Sequence, residues 1–482
     1  MIMTQEREIL KAQKQLEELC EAIRQAGREM KRADEVERTV FSRLLQIGHS
    51  LMEGFLRGAG DGDAGKKVER QGRALRRSQG KHSRRYVSVF GEHHIKRFVY
   101  ARREKQAIEW RPLDEQLGLP ASEYSYLLQD WSERLCIKES FGEAHNSLRD
   151  LLGLSVPVAT LEQINQKMAE GTLAFRERRP PPREDEEILV YSNDCKGVPM
   201  RRPSERPRSR CRRRPGEKAN KKQMACVGTA YSIARWVRRA DNILDDVMRR
   251  EHQKERPRPK NKRVWAEMTR TLEGDETYNG KTMVFVQQAV DLHARDPDRD
   301  KTVVCLMDGE RALWTEQQEW LSRCIGILDI FHVMERLWQC AYCFHREGTA
   351  EAALFFERRL RMLLEGQVGY VIGGLKRLAK SQLTREKRKT LQAAITYFQN
   401  NRQHMKYDEY LANGLPIGSG VAEGACRHVV KDRLEQTGMR WTLSGAQSML
   451  DLRSTYLNDD WDEYVQHYID QDQDALYRQK AA

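Results

Sequence analysis

Four carboxylates and one histidine stand where chemistry can be done. Asp194 closes the apolar run of "EEILVYSND", Asp308 follows "TVVCLM", and Asp329 follows "CIGIL" with His332 three residues on. Glu423 lies in the first turn of a helix opened by the glycine-rich "GLPIGSGVAEG". A short apolar run that ends on a polar residue reads as a buried strand, and sites on open α/β sheets gather beyond the carboxyl ends of strands. Carboxylates with water ligands suit Mg²⁺ or Mn²⁺. Two such ions can stabilise the attacking and leaving oxygens of phosphoryl transfer together. Each acid also has a plain structural reading. Asp194 and Asp308 can simply start turns, as in "DCKG" and "DGER", and Glu423 can complement a helix dipole. Asp329 with His332 can brace a strand-to-helix turn. Local pattern does not choose between Asp308 and Asp329 as the second acid.

The bulk numbers point to a partner. The 482 residues hold 84 Lys and Arg against 71 Asp and Glu, a net charge of +13. Such an excess suggests a polyanion, usually nucleic acid. Hydrophobic residues make up 39% of the chain, enough for real cores in about three domains. The start, "MIMTQEREIL", lacks the apolar core of a signal peptide. No stretch approaches the roughly 20 apolar residues of a membrane span. The expectation is a cytoplasmic, nucleoid-associated protein with no membrane partner, its ten cysteines reduced.

The elements that must position these residues fall into four segments. Residues 1–80 hold a helical segment over 5–56. Its heptad positions, Leu16, Ile23, Met30 and Leu44 with Leu19, Ala26, Ala33, Val40 and Ile47, predict a coiled-coil seam or a helical hairpin. "RGAGDGDAG" (57–65) reads as a flexible linker. Residues 81–180 hold a β-hairpin over 84–100, turning near Gly91, and three helices over 120–172. Ser140 with Glu143 and Thr160 with Gln163 fit capping boxes, and "LLGLSVPVAT" breaks one helix from the next. This is helix-turn-helix grammar. Residues 185–450 alternate strands and helices, with a helical stretch at about 335–410, and 451–482 form a tail.

Basic and aromatic residues supply candidate DNA contacts. The arginine- and proline-rich run 200–222, with Arg212, Arg213 and Arg214, cannot pack a core and reads as a phosphate-contacting loop. Arg427 and Lys431 follow Glu423 at i+4 and i+8, nearly one helix face. Arg440 adds a charge after Gly438. Trp441 could stack on an unpaired base or simply fill a core. Cys340, Cys343 and His345 are zinc-ligand types, but their helical spacing and missing fourth ligand argue against zinc.

Taken together, "YSNDCKGVP", "VVCLMDGERALW", "LDIFHVMERLW", "PIGSGVAEGACRHVVKDRLEQTGMRW" and "LRSTYLNDDWDEY" resemble bacterial insertion-sequence transposases of the ISKra type, within the DDE superfamily. The resemblance spans about residues 84 to 470. It implies an α/β fold: an RNase H-like catalytic core with a helical insertion, preceded by the helical segment and by a β-hairpin plus helix-turn-helix DNA-binding region. It implies two divalent ions, Mg²⁺ or Mn²⁺, held by Asp194, Asp308 and Glu423. The implied activity cleaves element ends and joins them to target DNA, as a homo-oligomer on DNA. In the implied strand order the first strand neighbours the fourth, and the fifth lies beyond it. Asp329 would then sit about 9–10 Å from Asp194 and, with His332, act as a supporting brace. The cysteine pair that relatives carry near the hairpin is missing from 99–112, which argues against zinc there. Two other readings stay open: a helix-turn-helix repressor with a catalytically dead core, and a nuclease that does not join ends.

Overall fold

The apolar runs pair with one another. In the computed structural model they form a five-stranded mixed sheet in a mixed α/β chain. The structure describes residues 2–103, 106–182, 184–201, 222–250, 256–271, 277–436 and 438–478; the side chains of residues 2–4, 271, 422 and 423 lie outside that description. Two units result, Met1–Phe175 with Trp461–Ala482, and Arg176–Asp460.

The second unit is built around the strand Ile188–Pro199. The sheet order is Ile325–Leu328, Thr302–Met307, Ile188–Pro199, Lys222–Ile233, Lys260–Met268. The first two run parallel to the central strand's direction, and the last two are joined to it in an antiparallel meander. With neighbours on both sides, Ile188, Leu189, Val190 and Tyr191 are all fully buried, so the run is continuous rather than alternating. The sequence ends this strand at Asp194. The structure carries it on to Pro199, because backbone pairing with Lys222–Ile233 continues past the last apolar residue.

Helices 350–412 form a block that shares the sheet's core through Phe356, Leu360, Leu375, Leu391 and Phe398. Trp338 stacks on Phe356 with ring centroids 4.1 Å apart. Helix Leu443–Leu457 packs on strand Lys260–Met268, where Gln447 receives and gives hydrogen bonds to the Met268 amide and the Ala266 carbonyl.

In the first unit the helical segment is a hairpin of Ile2–Arg28 and Ala33–Gly58, turning at Met30 with φ 53°. Ala12, Leu19, Ile23, Val40 and Ile47 form its internal seam, and Ser50 donates to Gln15 at 2.9 Å. The expected linker is pinned instead of loose. The Tyr100 hydroxyl bridges the Ala64 amide and the Gly65 carbonyl, and Asp61 and Asp63 pair with Lys81 and Arg77. The β-hairpin pairs His82–Ser88 with Gly91–Arg97 as the alternation predicts.

Helices Tyr126–Lys138, Phe141–Leu152 and Val158–Ala169 pack against each other. Ser140 and Glu143 make the full capping box, but Thr160 does not cap. Pro157, with φ −59°, starts that helix earlier, and the Thr160 amide already donates to the Pro157 carbonyl. The expected tail is divided. Leu443–Leu457 stays in the second unit, while Trp461–Gln473 packs on Tyr126–Lys138, its Trp461 indole donating to Asp130 at 2.7 Å and Tyr468 to Gln129 at 3.0 Å. Among the described residues, no helix is long and apolar enough to cross a membrane.

One buried acid gives the fold a pH dependence. Burial and the neighbouring Glu267 carboxylate push Asp451 up to about 7, against Arg176 and a hydrogen bond from Gln447 that favour its charged form. A carboxyl raised in this way contributes stability that is full below its ordinary pKa near 4 and is lost as pH rises through about 7. Asp451→Asn should therefore flatten the fall of Tm between about pH 4 and 7. Melting curves across that range check it, and an Asn variant with the parent's slope would contradict it.

Candidate active site

The parallel pairing of Ile188–Pro199 with Thr302–Met307 runs from Ile188 opposite Thr302 to Asn193 opposite Met307. Asp194 and Asp308 are the next residues on the two strands, so they come level at the point where that ladder ends. Adjacent strands lie about 4.8 Å apart. Asp194 is therefore mid-strand on its antiparallel side, opposite Val227, and at the open end on its parallel side. Burial raises the Asp308 pKa above the ordinary carboxylate range, and the Asp194 charge raises it further.

Asp308 is held from two directions. Its carboxylate accepts from the Glu310 amide at 2.8 Å, and its carbonyl accepts from the Tyr397 hydroxyl of the helical block at 2.6 Å. Gly309 follows with φ 91°; a Cβ there would lie 2.9 Å from Leu328 and 3.0 Å from Asn401 and Tyr397. Only glycine fits both the left-handed turn and the close neighbours. Among the described residues, the other Asp308 carboxylate oxygen has no hydrogen-bond donor.

Glu423 is on helix Gly420–Ala425, which packs against the Asp194 strand and its neighbour Lys222–Ile233; its side chain lies outside the described residues. One turn further along, Cys426 is buried beside Asp194, and burial together with that carboxylate's charge pushes the thiol pKa far up. Asp194 also accepts from the Cys195 amide at 2.6 Å. The same helix then widens into π-helical turns over Cys426–Lys431. Such i→i+5 stretches are uncommon and concentrate at functional sites. The buried Arg453 guanidinium donates to the His428 and Val429 carbonyls at 2.7 and 3.0 Å and supports the wide turn. Nothing in the glycine-rich motif signals this widening; the one clue is a buried arginine on a distant helix.

The wide turn changes the expected face. Arg427 and Lys431 are both exposed, but the α-helical i+4, i+8 spacing does not hold through 426–431, and Arg427 lies 3.5 Å from Asp432. Arg440 is exposed and donates to the Met439 carbonyl. Trp441 is not available for base stacking. It is 7% exposed, its indole donates to the Leu434 carbonyl at 3.0 Å, its backbone pairs beside Met200, and Arg433 covers its ring. Arg212, Arg213 and Arg214 lie outside the described residues.

Asp329 differs from Asp308 in what surrounds it. It is fully buried, caps helix Ile330–Tyr342 by accepting from the Phe331 amide at 2.9 Å, and accepts the Ser419 hydroxyl. Its own amide donates to the Met307 carbonyl, and the next amide donates to the Ile417 carbonyl. Asp329 thus ties the strand ends to the loop that leads into the Glu423 helix. The brace expected of His332 on Asp329 is supplied by the Ser419 hydroxyl, and half-buried His332 lies near both Asp308 and Asp329. Cys343 gives its thiol to the Gln339 and Lys387 carbonyls, and burial raises both it and Cys340.

The first unit carries a feature that no run in the sequence announces. A cleft of about 1190 Å³ is lined by Arg70, Arg73, Arg84, Arg97, Arg102 and Arg111 against Glu109, Asp114 and Glu123. Arg84 and Arg97 are both oriented by the buried Asp114, at 2.7 and 2.5 Å. Arg70 lies over the Trp110 ring at 4.8 Å. Arg73 and Arg111 are exposed and have no carboxylate partner among the described residues. The arginines come from four strands and the loop beyond, so only folding gathers them.

No protein-family model matches this chain, and no curated protein matches it.

Asp329→Ala removes a helix cap and leaves Ser419 without its acceptor. The expected loss is about 2 kcal/mol, read as a lower urea midpoint with unchanged m. Asp308→Asn should leave the midpoint near or above the parent's, because it removes one of two adjacent like charges. Equal destabilisation by both substitutions would contradict this division of roles.

Proposed function

We propose that the protein is a DDE transposase that cleaves the ends of a DNA element and joins them to target DNA. The observation that carries this reading is the level placement of Asp194 and Asp308 on neighbouring parallel strands, with the Glu423 helix packed on the Asp194 strand. The sheet order agrees with an RNase H-like core: the first strand lies beside the fourth, and the fifth lies outside it. The three packed helices 126–169 suit a helix-turn-helix, the last presenting Gln163, Gln166 and Lys167 outward.

The donor set fits hard divalent cations. Two carboxylates come level in a partly buried place, their charges oppose each other, and one Asp308 oxygen lacks a donor among the described residues. Asp194, Asp308 and Glu423 would hold such ions. When bound, Mg²⁺ or Mn²⁺ supplies Lewis acidity for both oxygens of an in-line displacement at phosphorus. The chain's own residues do the positioning. Tyr397 and Gly309 fix the Asp308 turn. Asp329 and Ser419 fix the loop before the Glu423 helix. Cys426 packs beside the Asp194 carboxylate, and His332 adds a group that can offset negative charge beside Asp308. Arg427 and Lys431, exposed beyond Glu423, can meet phosphates. The arginine cleft of the first unit can hold a duplex backbone, where contacts position DNA without reading sequence. A water or a 3′-hydroxyl serves as nucleophile, so no covalent enzyme–DNA intermediate is needed.

Incubation with cognate element ends, Mg²⁺ and target DNA should give cleaved and joined products. Cleavage without joining would favour a nuclease, and binding alone a repressor. Asp194→Asn, Asp308→Asn and Glu423→Gln should each remove both products while end binding persists. Asp329→Asn should lower cleavage about 10–100-fold, the range for a group that orients a ligand. Activity kept in a folded Asp308→Asn protein would overturn the assignment.

Neutralising Arg73 and Arg111 should reduce the slope of log K against log salt by about one for each lost phosphate contact, similarly on unrelated duplexes. Binding measured from low to moderate salt tests this, and an unchanged slope would remove the cleft from the interface.

A further inference from the structure

The helix Ala33–Gly58 and the β-hairpin of the first unit meet at a cluster of nitrogen and oxygen donors away from the three acids. His49 and Glu53 are one helical turn apart and face the same way. His93 is on the inward face of Gly91–Arg97, together with Ile95 and Arg97, and is 1% exposed. Its Nδ1 lies 3.0 Å from the Glu53 Oε2. The His49 ring stacks on the His93 ring, centroids 4.5 Å apart and planes 13° from parallel. One donor atom from each of the three residues lies within 4.8 Å of the others, the one group of this kind among the described residues.

Two further details fit a ligand set. The His93 Nε2 lies 3.2 Å from the Ser88 hydroxyl, which also accepts from the Phe90 amide. A ligating histidine turns its second nitrogen to such an acceptor, which fixes its tautomer and ring orientation. Gly91 has φ 126°, and a Cβ there would lie 3.0 Å from the His49 Nδ1. Glycine therefore keeps the space beside that nitrogen open.

We propose that His49, Glu53 and His93 bind one first-row divalent ion of the zinc type, which fastens the β-hairpin to the helical hairpin. Two imidazoles and one carboxylate are the donors such an ion takes, and a water completes four-coordination. Mg²⁺ prefers all-oxygen ligands, so this site and the acid cluster select different metals. Donors about 2.1 Å from a tetrahedral ion lie about 3.4 Å apart. Glu53 and His93, 3.0 Å apart, come within about 0.4 Å of that spacing. The His49 ring turns out of its stack with His93 to reach the ion, so binding is accompanied by a local change at the hairpin.

The test uses tag-free full-length protein carrying Asp308→Asn, which weakens the acid cluster as a competing site. After chelator treatment, Zn²⁺ is titrated by calorimetry and the bound metal is counted; Co²⁺ then serves as a spectroscopic probe. One equivalent of Zn²⁺ should bind, Tm should rise with it, and Co²⁺ should give the visible bands of a low-coordinate nitrogen and oxygen site. His49→Asn, at a half-buried position, should lose that equivalent while the metal-free Tm stays near the parent's. Ser88→Ala should weaken binding about 10–100-fold. The proposal is overturned if the parent binds no equivalent, or if His49→Asn and Glu53→Gln both bind as the parent does. In either case the three residues are a hydrogen-bonded brace alone.

Discussion

The register of one parallel strand pair governs the second unit. Six residue pairs lock Ile188–Asn193 against Thr302–Met307, and that alignment decides which residues emerge level at the end. A slip of one residue would turn every side chain of the pair to the opposite face. Because Ile188 to Tyr191 and Val303 to Met307 are buried on both faces, close packing of differently shaped side chains, not polarity, holds this register. Everything near the candidate site is tied to this end of the ladder. Tyr397 reaches it from the helical block, the Asp329 amide continues the pairing from the next strand, and Cys426 reaches Asp194 from the Glu423 helix.

Much of the architecture was legible because it follows from short-range patterning. The hairpin 84–100 alternates, the buried strands are apolar runs, and Ser140 with Glu143 is a local capping signal. The failures came where a distant partner decides. Asp194 looked like a strand end, since apolarity stops there, yet the pairing with Lys222–Ile233 continues. Thr160 looked like a cap, but a proline just before it fixes the start of the helix. The residues 57–65 looked loose by composition, but Tyr100, 35 positions beyond Gly65, holds them. Trp441 reads in sequence more readily as a core ring than as a stacking ring, and it is buried under Arg433, where a turn brings it beside Met200.

Asp308 and Asp329 show how little local pattern says about a carboxylate's role. Both follow four or more apolar residues and both precede a helix. Burial raises the pKa of each. What separates them is saturation. Asp329 receives an amide on one oxygen and a hydroxyl on the other, and its position two strands from Asp194 removes it from a shared site. Asp308 receives one amide and has a second acid for a neighbour. The same contrast separates the candidate acid site from the His49, Glu53 and His93 group. The acids at the sheet are oxygen-only and set by strand register, whereas His49, Glu53 and His93 are set by a helix turn facing a hairpin.

The wide turns at Cys426–Lys431 place the Glu423 helix in an uncommon position with respect to insertions and deletions. Removing one residue from this stretch would let the backbone return to regular α-helical bonding, which is locally the better structure. It would also rotate everything before the deletion by about 100° relative to everything after it. Cys426 would then leave Asp194, and the carbonyls of His428 and Val429 would no longer meet Arg453. Chain length in this segment is therefore under a constraint that no composition rule detects. A shortened helix would be more regular and would turn Gly420–Ala425 out of its packing against the Asp194 strand.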